Sequence, residues 1–276
     1  MSEKLLSIII PCFNSADTLP VLLQSIPDDS RIEVIVVDDH SDKLLEEYQS
    51  CQDTFSGRNI AFYRNLDGKK GAGSARNVGL SSATGRYVLF ADADDFFYQD
   101  GFMHLLDEID SYDKDIYYYY PDSVDSDGNP GTRHTEYKRL LEEYYQNKDR
   151  KSEVFVRCRF HVPWSKVIRR SLIVEHRILF DEVRFSNDVM FSAKCGLSAR
   201  SIEVVPQKLY CCTHRAGSLV TNKDPKSMRI REKVSIRHYF YCRKHLSKEE
   251  ARYFGWSLRS DYRMLKHWGS QLVNKV

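Results

Sequence analysis

The chain of 276 residues has no hydrophobic run long enough to cross a membrane. Its longest apolar runs, at residues 5–10, 34–37 and 88–91, have the length of β-strands, whereas a transmembrane helix needs about 20 apolar residues. The first residues do not resemble a signal peptide. We therefore expect a cytoplasmic protein whose hydrophobic residues, 42% of the total, form one large domain with or without an appendage.

Cysteine appears in no pattern that would build a disulfide framework or a zinc ribbon. The seven cysteines are an odd number, Cys211 and Cys212 are adjacent, and there is no Cys-x-x-Cys pair. This usage is typical of a protein from a reducing compartment. Pro-rich linkers, Gly/Ser-rich linkers, low-complexity tracts and internal repeats are absent as well.

Net charge is low, at +2, but unevenly distributed. Residues 223–276 contain 14 Lys and Arg against five Asp and Glu, and the remaining 222 residues contain 27 against 34. This basic tail is also aromatic, with Tyr239, Phe240, Tyr241, Tyr253, Phe254, Trp256, Tyr262 and Trp268. Such a segment suits an anionic membrane surface or nucleic acid, and the acidic body speaks against nucleic acid. A solvated helical pair, with Tyr and Trp packed on the body, is equally open.

Strand and helix patterns alternate along the first 120 residues. Apolar runs predict strands at 5–10, 33–37, 60–64, 87–91 and 115–119, and helical spacing predicts helices at 15–26, 44–54, 72–83 and 102–109. Further helices are predicted at 136–147 and 189–197. This order predicts an α/β fold with a mostly parallel central sheet flanked by helices.

Four of these strands end in polar or special residues. They are followed or ended by Pro11-Cys12-Phe13-Asn14, Asp38-Asp39, Asn65 and Asp92-Ala93-Asp94. Ligands of such sheets bind at the carboxyl ends of the strands. Asp92 and Asp94 point the same way along an extended chain, and two carboxylates suit Mg²⁺ or Mn²⁺ with positions left for a diphosphate. A plain acidic turn at a strand end is the alternative.

With these motifs the chain resembles the family 2 inverting glycosyltransferases of the GT-A fold, of the type that builds bacterial cell-surface polysaccharide or lipooligosaccharide. The resemblance covers roughly residues 5–220, and Phe13 stands where the family usually has Tyr. It rests on the motifs at 11–14, 37–41, 71–79, 92–94, 164–166, 187–191 and 215–218. It implies a catalytic domain at 1–222, with a donor half (1–122) and an acceptor half (123–222), and a helical extension at 223–276.

For the donor, the resemblance implies a UDP-sugar. Residues expected near the nucleotide are Pro11, Phe13, Asn14, Asp39, Asn65 and Arg76. Asp38 is expected to be structural, and an N-cap for the helix at 44–54 is the alternative for both aspartates. The run Gly71–Gly79 looks like a dinucleotide loop but follows the third strand rather than the first. Its glycines are expected to let the helix pack tightly.

For the diphosphate, the resemblance implies Mn²⁺ or Mg²⁺ held mainly by Asp94, with Asp92 contacting the ribose and the metal. His214 or His161 could complete the site, although a lone histidine is more often an ordinary hydrogen-bonded residue. Arg215 and Ser218 would lie near the diphosphate. Asp95 is expected to cap a helix or to support the metal ligands.

For the acceptor, a glycan or lipid-linked saccharide, the resemblance implies Asp188 as the general base. Asn187 replaces an acid that the family usually carries. The alternative for Asp188 is an acid that stabilises the first turn of a helix. Trp164 is expected to shape the sugar pocket, or else to pack in the core. The loop at 125–131 and the Tyr/Leu stripe of the helix at 136–147 would form the acceptor wall, with core packing as the alternative for most of that stripe.

Two other classes of protein fit less well. A nucleotidyltransferase that makes nucleotide sugars would carry a Gly-rich, basic loop after the first strand, where this chain has Pro11-Cys12-Phe13-Asn14. A non-catalytic carbohydrate-binding protein would keep the fold but would not need Asp94, Asp188 and Arg215 together.

Overall fold

The computed structural model describes residues 4–66, 69–214, 224–257, 259–262 and 264. In this part of the chain, one eight-stranded sheet has the order β3-β2-β1-β4-β7-β6-β8-β5. The strands are β1 (Leu6–Cys12), β2 (Ile32–Asp38), β3 (Ile60–Arg64), β4 (Tyr87–Phe90), β5 (Phe96–Phe97), β6 (Ile116–Asp125), β7 (Lys166–Arg169) and β8 (Ile202–His214). The helices are α1 (Leu19–Ser25), α2 (Leu45–Thr54), α3 (Ala72–Ser82), α4 (Gln99–Ser111), α5 (Thr135–Asn147), α6 (Arg150–Arg159), α7 (Arg170–Glu175), α8 (Asn187–Ser198), α9 (Pro225–His245) and α10 (Lys248–Tyr253).

Six of these eight strands point the same way, which confirms the predicted α/β fold with a mostly parallel sheet. β1 runs parallel to β2 and β4, and β2 runs parallel to β3. β7 is antiparallel to both β4 and β6, so β6 regains the direction of β4. β8 is parallel to β6, and the short β5 is antiparallel to β8.

The first half of the sheet follows directly from the apolar runs. All seven residues of β1 are buried, as expected for a strand with parallel neighbours on both sides. The predicted strands and helices up to residue 111 are present, with ends that shift by a few residues. Gly79 of α3 lies against Ile9 of β1, where a Cβ atom would collide with the isoleucine side chain. This contact confirms that a glycine of the 71–79 run lets the helix pack tightly on the sheet.

The second half of the sheet contains elements that the apolar pattern did not predict. The predicted strand at 115–119 continues to Asp125, and β5, α6, β7 and β8 are additional. β7 enters the sheet between β4 and β6, although it follows both in the chain. This insertion separates β4 and β6, which would otherwise be neighbours in the sheet.

The described part of the C-terminal extension is helical, as predicted, and it packs on the body. Asp224 caps α9 by accepting from the backbone N–H groups of Lys226 and Ser227, and Ser247 with Glu250 forms a capping box on α10. Cys242 and Leu246 of α9 share a hydrophobic cluster with α6 and α8, and Phe254 and Trp256 pack against it. Aromatic residues of the tail therefore stabilise its contact with the body. No helix in the described ranges is long and apolar enough to span a membrane.

Candidate active site

The polar strand ends meet at one edge of the sheet. Cys12 at the end of β1 is paired with Asp38 at the end of β2, and Asp38 is paired with Arg64 at the end of β3. β4 lies on the other side of β1 and leads directly into Asp92. Parallel strands place their carboxyl ends together, so the residues predicted from four separate strands do lie along a common edge.

Asp39 is held in place by a network of hydrogen bonds. Its Oδ1 accepts from Nδ2 of Asn65 at 2.8 Å and its Oδ2 accepts from the backbone N–H of Gly71 at 2.7 Å. Asn65 is fully buried and also donates to the carbonyl of Lys69. Asn65 therefore supports Asp39 and the loop before α3, rather than presenting the surface for a base that the sequence led us to expect.

Asp38 supports the neighbouring turn. Its Oδ1 accepts from the backbone N–H of Ser41 at 3.1 Å. Leu44, in the left-handed region at φ 56°, is the N-cap residue of α2, and no side chain caps that helix. The alternative that Asp38 and Asp39 cap the helix at 44–54 is therefore wrong, and the structural role expected for Asp38 is present.

Phe13 and Asn14, the two residues after β1, differ in role: the ring of Phe13 is exposed, and the amide of Asn14 is used for hydrogen bonds within the protein. The side chain of Phe13 is 43% exposed, and the ammonium group of Lys70 lies 3.9 Å from the centre of its ring. Asn14 accepts from the backbone N–H groups of Asp42 and Lys43, both at 3.0 Å. Phe13 is thus available to cover a flat ligand, whereas Pro11 is buried and Asn14 holds the loop after β2 through these two hydrogen bonds.

Arg76 connects the strand edge to the helix that carries Asp188. It lies on α3, is 5% exposed, and its Nη2 donates to Oδ1 of Asp92 at 2.5 Å. Its Nη1 donates to Oδ1 of Asn187 at 2.9 Å. The planar guanidinium bonds in two directions at once. It thereby holds the two predicted catalytic segments against each other.

The Asp92–Asp94 loop is held in place by the hydroxyl of Tyr210 on β8. The Tyr210 hydroxyl accepts from the backbone N–H of Asp92 at 2.8 Å and donates to the carboxylate of Asp95 at 2.5 Å. Asp95 also accepts from the backbone N–H of Thr213 at 2.7 Å. Burial raises the pKa of Asp95, and the charges of Asp92 and Asp94 raise it further. Asp95 therefore anchors the loop and caps no helix, since α4 begins after Tyr98.

The predicted metal ligands are only partly assembled by protein side chains. Asp92 and Asp94 are half-buried, and His214 is the last residue of β8, the strand that pairs with β5. Among the residues that the structure describes, no three His, Cys, Asp or Glu side chains form a group that could hold a metal ion. The two carboxylates still match the oxygen donors that Mn²⁺ and Mg²⁺ prefer. A metal at this loop would take its remaining ligands from a bound diphosphate and water.

Two of the predicted residues lie outside the described part of the chain, and one lies away from the loop. Arg215 and Ser218 fall within residues 215–223, which are not described. The Nε2 atom of His161 bonds to the carbonyl of Cys158 at 2.9 Å, and burial lowers its pKa to about 3. His161 thus behaves as an ordinary hydrogen-bonded histidine.

Asp188 lies in the first turn of α8 and interacts electrostatically with the buried Lys166. Burial raises the pKa of Asp188, and the charge of Arg76 offsets part of that increase. Lys166 is fully buried, its Nζ donates to the carbonyl of Phe160 at 3.0 Å, and burial lowers its pKa to about 7. A carboxylate with a raised pKa is a stronger proton acceptor than an exposed aspartate.

Arg133 is a functional candidate that the sequence reasoning missed. It lies in the loop between β6 and α5, and its guanidinium is 6.0 Å from the centre of the Trp164 ring. Burial lowers the pKa of Arg133, but the charges of Asp92 and its neighbours outweigh burial and raise it overall. Its position 41 residues after Asp92 offers no local pattern that would link the two.

Trp164 lies in the core under the site. It is fully buried, and its ring stacks on Tyr210 with centres 5.6 Å apart and planes 15° apart. An edge contact with Tyr137 covers another side at 5.5 Å. Trp164 therefore packs in the core, which was the alternative given from the sequence, and does not line the sugar pocket.

Comparison with curated proteins finds bacterial glycosyltransferases. The glycosyltransferase GlyG of Streptococcus pneumoniae is 28% identical over 235 residues, which cover 80% of this chain and 74% of that protein. The poly(ribitol-phosphate) beta-N-acetylglucosaminyltransferase TarS of Staphylococcus aureus is 27% identical over 221 residues, covering 76% of this chain and 36% of TarS. The chain thus spans about a third of the length of TarS.

Solved structures have the same fold. The crystal structure of TarS residues 1–349 in complex with UDP-GlcNAc matches with a TM-score of 0.65 and 23% identity, covering 90% of this chain and 69% of that one. The mannosyltransferase PcManGT of Pyrobaculum calidifontis, in complex with GDP-Man and Mn²⁺, matches with a TM-score of 0.56 and 17% identity, covering 87% and 64%. These likenesses confirm the GT-A fold.

The model of the family described as "Glycosyl transferase family 2" matches residues 7–177, which is more than half of the chain. The protein therefore belongs to glycosyl transferase family 2 and is a glycosyltransferase.

Proposed function

We propose that the protein is a metal-dependent inverting glycosyltransferase that moves a sugar from a UDP-sugar to a hydroxyl of a glycan or lipid-linked acceptor in cell-surface polysaccharide synthesis. The observation that carries the proposal is the double hydrogen bond of Arg76 to Asp92 and Asn187. It brings the end of β4, where a donor diphosphate would bind, into contact with the first turn of α8, where the proton acceptor lies.

The nucleotide would bind at the ends of β1 and β2. Phe13 offers an exposed aromatic face, which suits a base, and Asp39 is oriented by Asn65 and Gly71. The carboxylate of Asp39 keeps lone pairs to accept from the imide N–H of uracil. The complex of TarS with UDP-GlcNAc supports UDP as the carrier.

The diphosphate would lie above the Asp92–Asp94 loop. Asp94 and Asp92 would hold Mn²⁺ or Mg²⁺ together with the diphosphate and water, and the Mn²⁺ named in the PcManGT complex supports this assignment. A bound divalent ion supplies positive charge against the leaving diphosphate. We assign Arg215 and Ser218 to the same region from the motif alone, and Arg133 adds a cation that interacts electrostatically with Asp92.

Asp188 would accept the proton of the acceptor hydroxyl as that hydroxyl attacks from the face opposite the diphosphate, which inverts the anomeric centre. Asn187 has a physical rationale in this scheme. Its amide oxygen bonds to Arg76 without adding a negative charge, so the cation remains to balance Asp92 and Asp188. The usual acid at this position would compete for Arg76.

A thermal-shift screen tests the donor and the metal together. The protein is heated with UDP-, GDP- or CMP-sugars, with Mn²⁺ or with EDTA. A ligand at 100 times its dissociation constant stabilises the folded state by about 2.7 kcal/mol. We expect UDP-sugars to give the largest shift and the shift to need the metal. A preference for GDP or CMP, or a shift that ignores EDTA, would contradict the assignment.

The matched variants are Asp94→Ala and Asp100→Ala, the latter an exposed acid on α4. Asp94→Ala should lose the metal-dependent part of the shift, with apo melting nearly unchanged, and Asp100→Ala should keep both. Release of UDP from the preferred donor should follow the same ranking. Collapse of apo stability in Asp94→Ala would make Asp94 a structural residue.

Peripheral attachment to an anionic membrane is the proposed location. Met228 and Tyr262 are exposed large side chains of the extension, and Lys226, Arg229 and Lys233 are exposed on α9. Each basic residue near an anionic surface is worth about 1 kcal/mol. Reversing these three charges should abolish co-sedimentation with anionic vesicles at low salt. Binding that survives the reversal, or ignores salt and anionic lipid, would contradict attachment through the extension.

A further inference from the structure

A cavity lies between the body of the protein, at α5 and α6, and the C-terminal extension. Its volume is about 380 Å³, within the range of small-molecule sites. Residues of α5, α6, α9 and the segment after α10 line it. It is distinct from the strand edge where the donor is proposed to bind.

Aromatic rings form one wall of this cavity. The rings of Phe254 and Trp256 are stacked, with centres 4.4 Å apart and planes 18° apart. The guanidinium of Arg159 lies 5.0 Å from the centre of the Phe254 ring. Flat aromatic faces next to hydrogen-bonding groups suit a ligand with both C–H surface and hydroxyls. A saccharide ring has this chemistry.

One imidazole and a carboxylate supply hydrogen-bond acceptors. The Nε2 atoms of His161 and His238 lie 2.9 and 2.8 Å from the carbonyl oxygen of Cys158, and both rings line the cavity. A carbonyl only accepts, so each Nε2 carries the proton, and Nδ1 of the His161 ring, which burial keeps neutral, is an acceptor. Burial lowers the pKa of His238, but its contact with Cys242 raises that pKa overall. Glu136 adds a carboxylate from α5. Hydroxyl groups are the donors that fit these acceptors.

The cavity is connected to Asp188 through the residues around His161. Ser192, one helical turn after Asp188, donates to the carbonyl of His161 at 2.5 Å. Tyr137 lines the cavity as well. Burial raises the pKa of Tyr137 to about 12, with the charge of Asp188 adding to the increase. The cavity is therefore linked to the helix that carries Asp188 by a direct hydrogen bond and by the charge interaction of Tyr137 with Asp188.

We propose that this cavity binds a saccharide ring of the acceptor, so that the extension formed by α9 and the residues after α10 completes the acceptor site. The assignment extends the proposed function and rests on it, because the bound saccharide is an acceptor only if the protein is the proposed glycosyltransferase. In this assignment α9 is held against the loop before Asp188 by the ion pair of Arg237 with Asp181, at 2.8 Å. A basic, aromatic tail would thereby serve recognition of the acceptor.

Ligand-observed NMR with methyl glycosides of glucose, galactose, mannose and N-acetylglucosamine tests the site in the full-length protein. We expect at least one of them to bind with millimolar affinity. Trp256→Ala should weaken that binding about tenfold, the order expected for a lost aromatic contact. Glu136→Gln, an exposed residue whose change should not affect folding, should weaken it roughly threefold to tenfold.

The control is Glu143→Gln on the same helix, since Glu143 also pairs with Arg139 but does not line the cavity. It should bind as the wild type does. Absence of binding by all four glycosides, or unchanged binding in both Trp256→Ala and Glu136→Gln, would overturn the proposal.

A parallel UDP-sugar thermal shift separates this inference from the proposed function. All three variants should keep the donor shift, because their side chains lie away from Phe13, Asp39 and Asp92. Loss of the donor shift in the wild type would refute the proposed function while leaving the glycoside result to decide the saccharide site. With transfer measured, Trp256→Ala should raise the KM of the acceptor more than it lowers kcat.

Discussion

The proposed donor half and the proposed acceptor half of the site use charged residues in different ways. At the donor edge, Asp39 is oriented by short hydrogen bonds to an amide and a backbone N–H that lie within its own half. On the acceptor side, Asp188 and Lys166 lie in surroundings that shift their pKa values by burial. The comparison indicates that the proposed donor recognition relies on pre-arranged geometry, whereas the proposed proton transfer relies on desolvation.

Arg76 joins the two halves, since it comes from α3 of the donor half and bonds to Asn187 of α8. Variants on either side of this residue should therefore separate donor binding from chemistry. A variant of Arg76 itself should affect both.

The largest expected effect belongs to the acceptor half. Asp188→Asn removes the proton acceptor but keeps the size of the side chain, and Asn is tolerated at a helix start. General-base catalysis contributes about 10²–10⁴-fold, or roughly 3–5 kcal/mol of barrier. Turnover should fall by that factor while the dissociation constant of the UDP-sugar changes little.

Glu182→Gln is the control for Asp188→Asn, because Glu182 is a nearby acid that pairs with Lys69 at the surface. It should be active and bind donor normally. If Asp188→Asn keeps more than about a tenth of wild-type turnover, Asp188 is not the base, and the stabilising first-turn role is correct.

The second prediction concerns Arg76, whose substitution should affect both donor binding and turnover. Arg76→Lys replaces the planar guanidinium with one ammonium nitrogen, which lacks the two separated Nη donors that bond to Asp92 and Asn187. Loss of one hydrogen bond to a charged group costs about 1.5–3 kcal/mol, so turnover should fall roughly 10- to 100-fold and donor affinity should fall as well. Steady-state kinetics with donor titration measures both.

Arg58→Lys is the matched control, since Arg58 donates to the carbonyls of Leu23 and Ile26, away from the site. It should lose stability without losing donor affinity. An Arg76→Lys enzyme that loses turnover alone would show that Arg76 does not couple the two halves.

The third prediction concerns the support of the donor edge. Tyr210→Phe leaves the backbone N–H of Asp92 and the buried carboxylate of Asp95 without the hydroxyl they share. An unsatisfied buried polar group costs about 1–3 kcal/mol, so the free energy of unfolding should fall by that amount. Urea denaturation measures the change.

Tyr119→Phe controls for removing a buried hydroxyl from the same sheet. The Tyr119 hydroxyl is buried without a hydrogen-bond partner among the residues that the structure describes, so its removal should be neutral or stabilising. If both variants lose the same free energy of unfolding, the Tyr210 hydroxyl does not hold the Asp92 loop.

The smallest effect is a pH dependence of the acceptor half. The pKa of Lys166 is about 7 in the folded protein against 10.5 for an exposed lysine. Between these values the unfolded chain binds a proton that the folded chain does not. Lys166 therefore lowers stability as the pH falls from 10.5 towards 7.

Lys166→Met should remove this slope, so the stability difference between pH 9.5 and 7.5 should shrink by roughly 1–2 kcal/mol. Lys151→Met, on the exposed surface of α6, should keep the wild-type slope. Chemical denaturation at the two pH values measures both variants, and an unchanged slope in Lys166→Met would show that the amine stays charged in the folded protein.

Much of the donor half could be predicted because its information is local. Each strand from β1 to β4 is an apolar run, and each is followed within a few residues by the polar group that it delivers to the edge. Consecutive strand–helix–strand units then bring those groups together without further information. Asp39, Asp92 and Asp94 were found this way.

The acceptor half resisted prediction because its contacts join distant segments. Arg133 lies beside Asp92 and Trp164, and the insertion of β7 between β4 and β6 follows no local pattern. Trp164 and Asn65 were expected to touch ligands, yet both are fully buried. Residue type indicates what a side chain can bind, and only packing decides whether it reaches the surface.

Neighbouring residues alone predict the alternation of strands and helices, the polar edge of the sheet and the acids at positions 92 and 94, because periodicity and strand ends are local properties. Asp188 became a candidate through the family resemblance of residues 187–191. Tertiary structure decided the pairing of Arg76 with Asn187 across 111 residues, the raised pKa of Asp188 and the cavity under the C-terminal extension. These features depend on desolvation and on contacts between segments far apart in the chain, and both arise only when the whole domain packs.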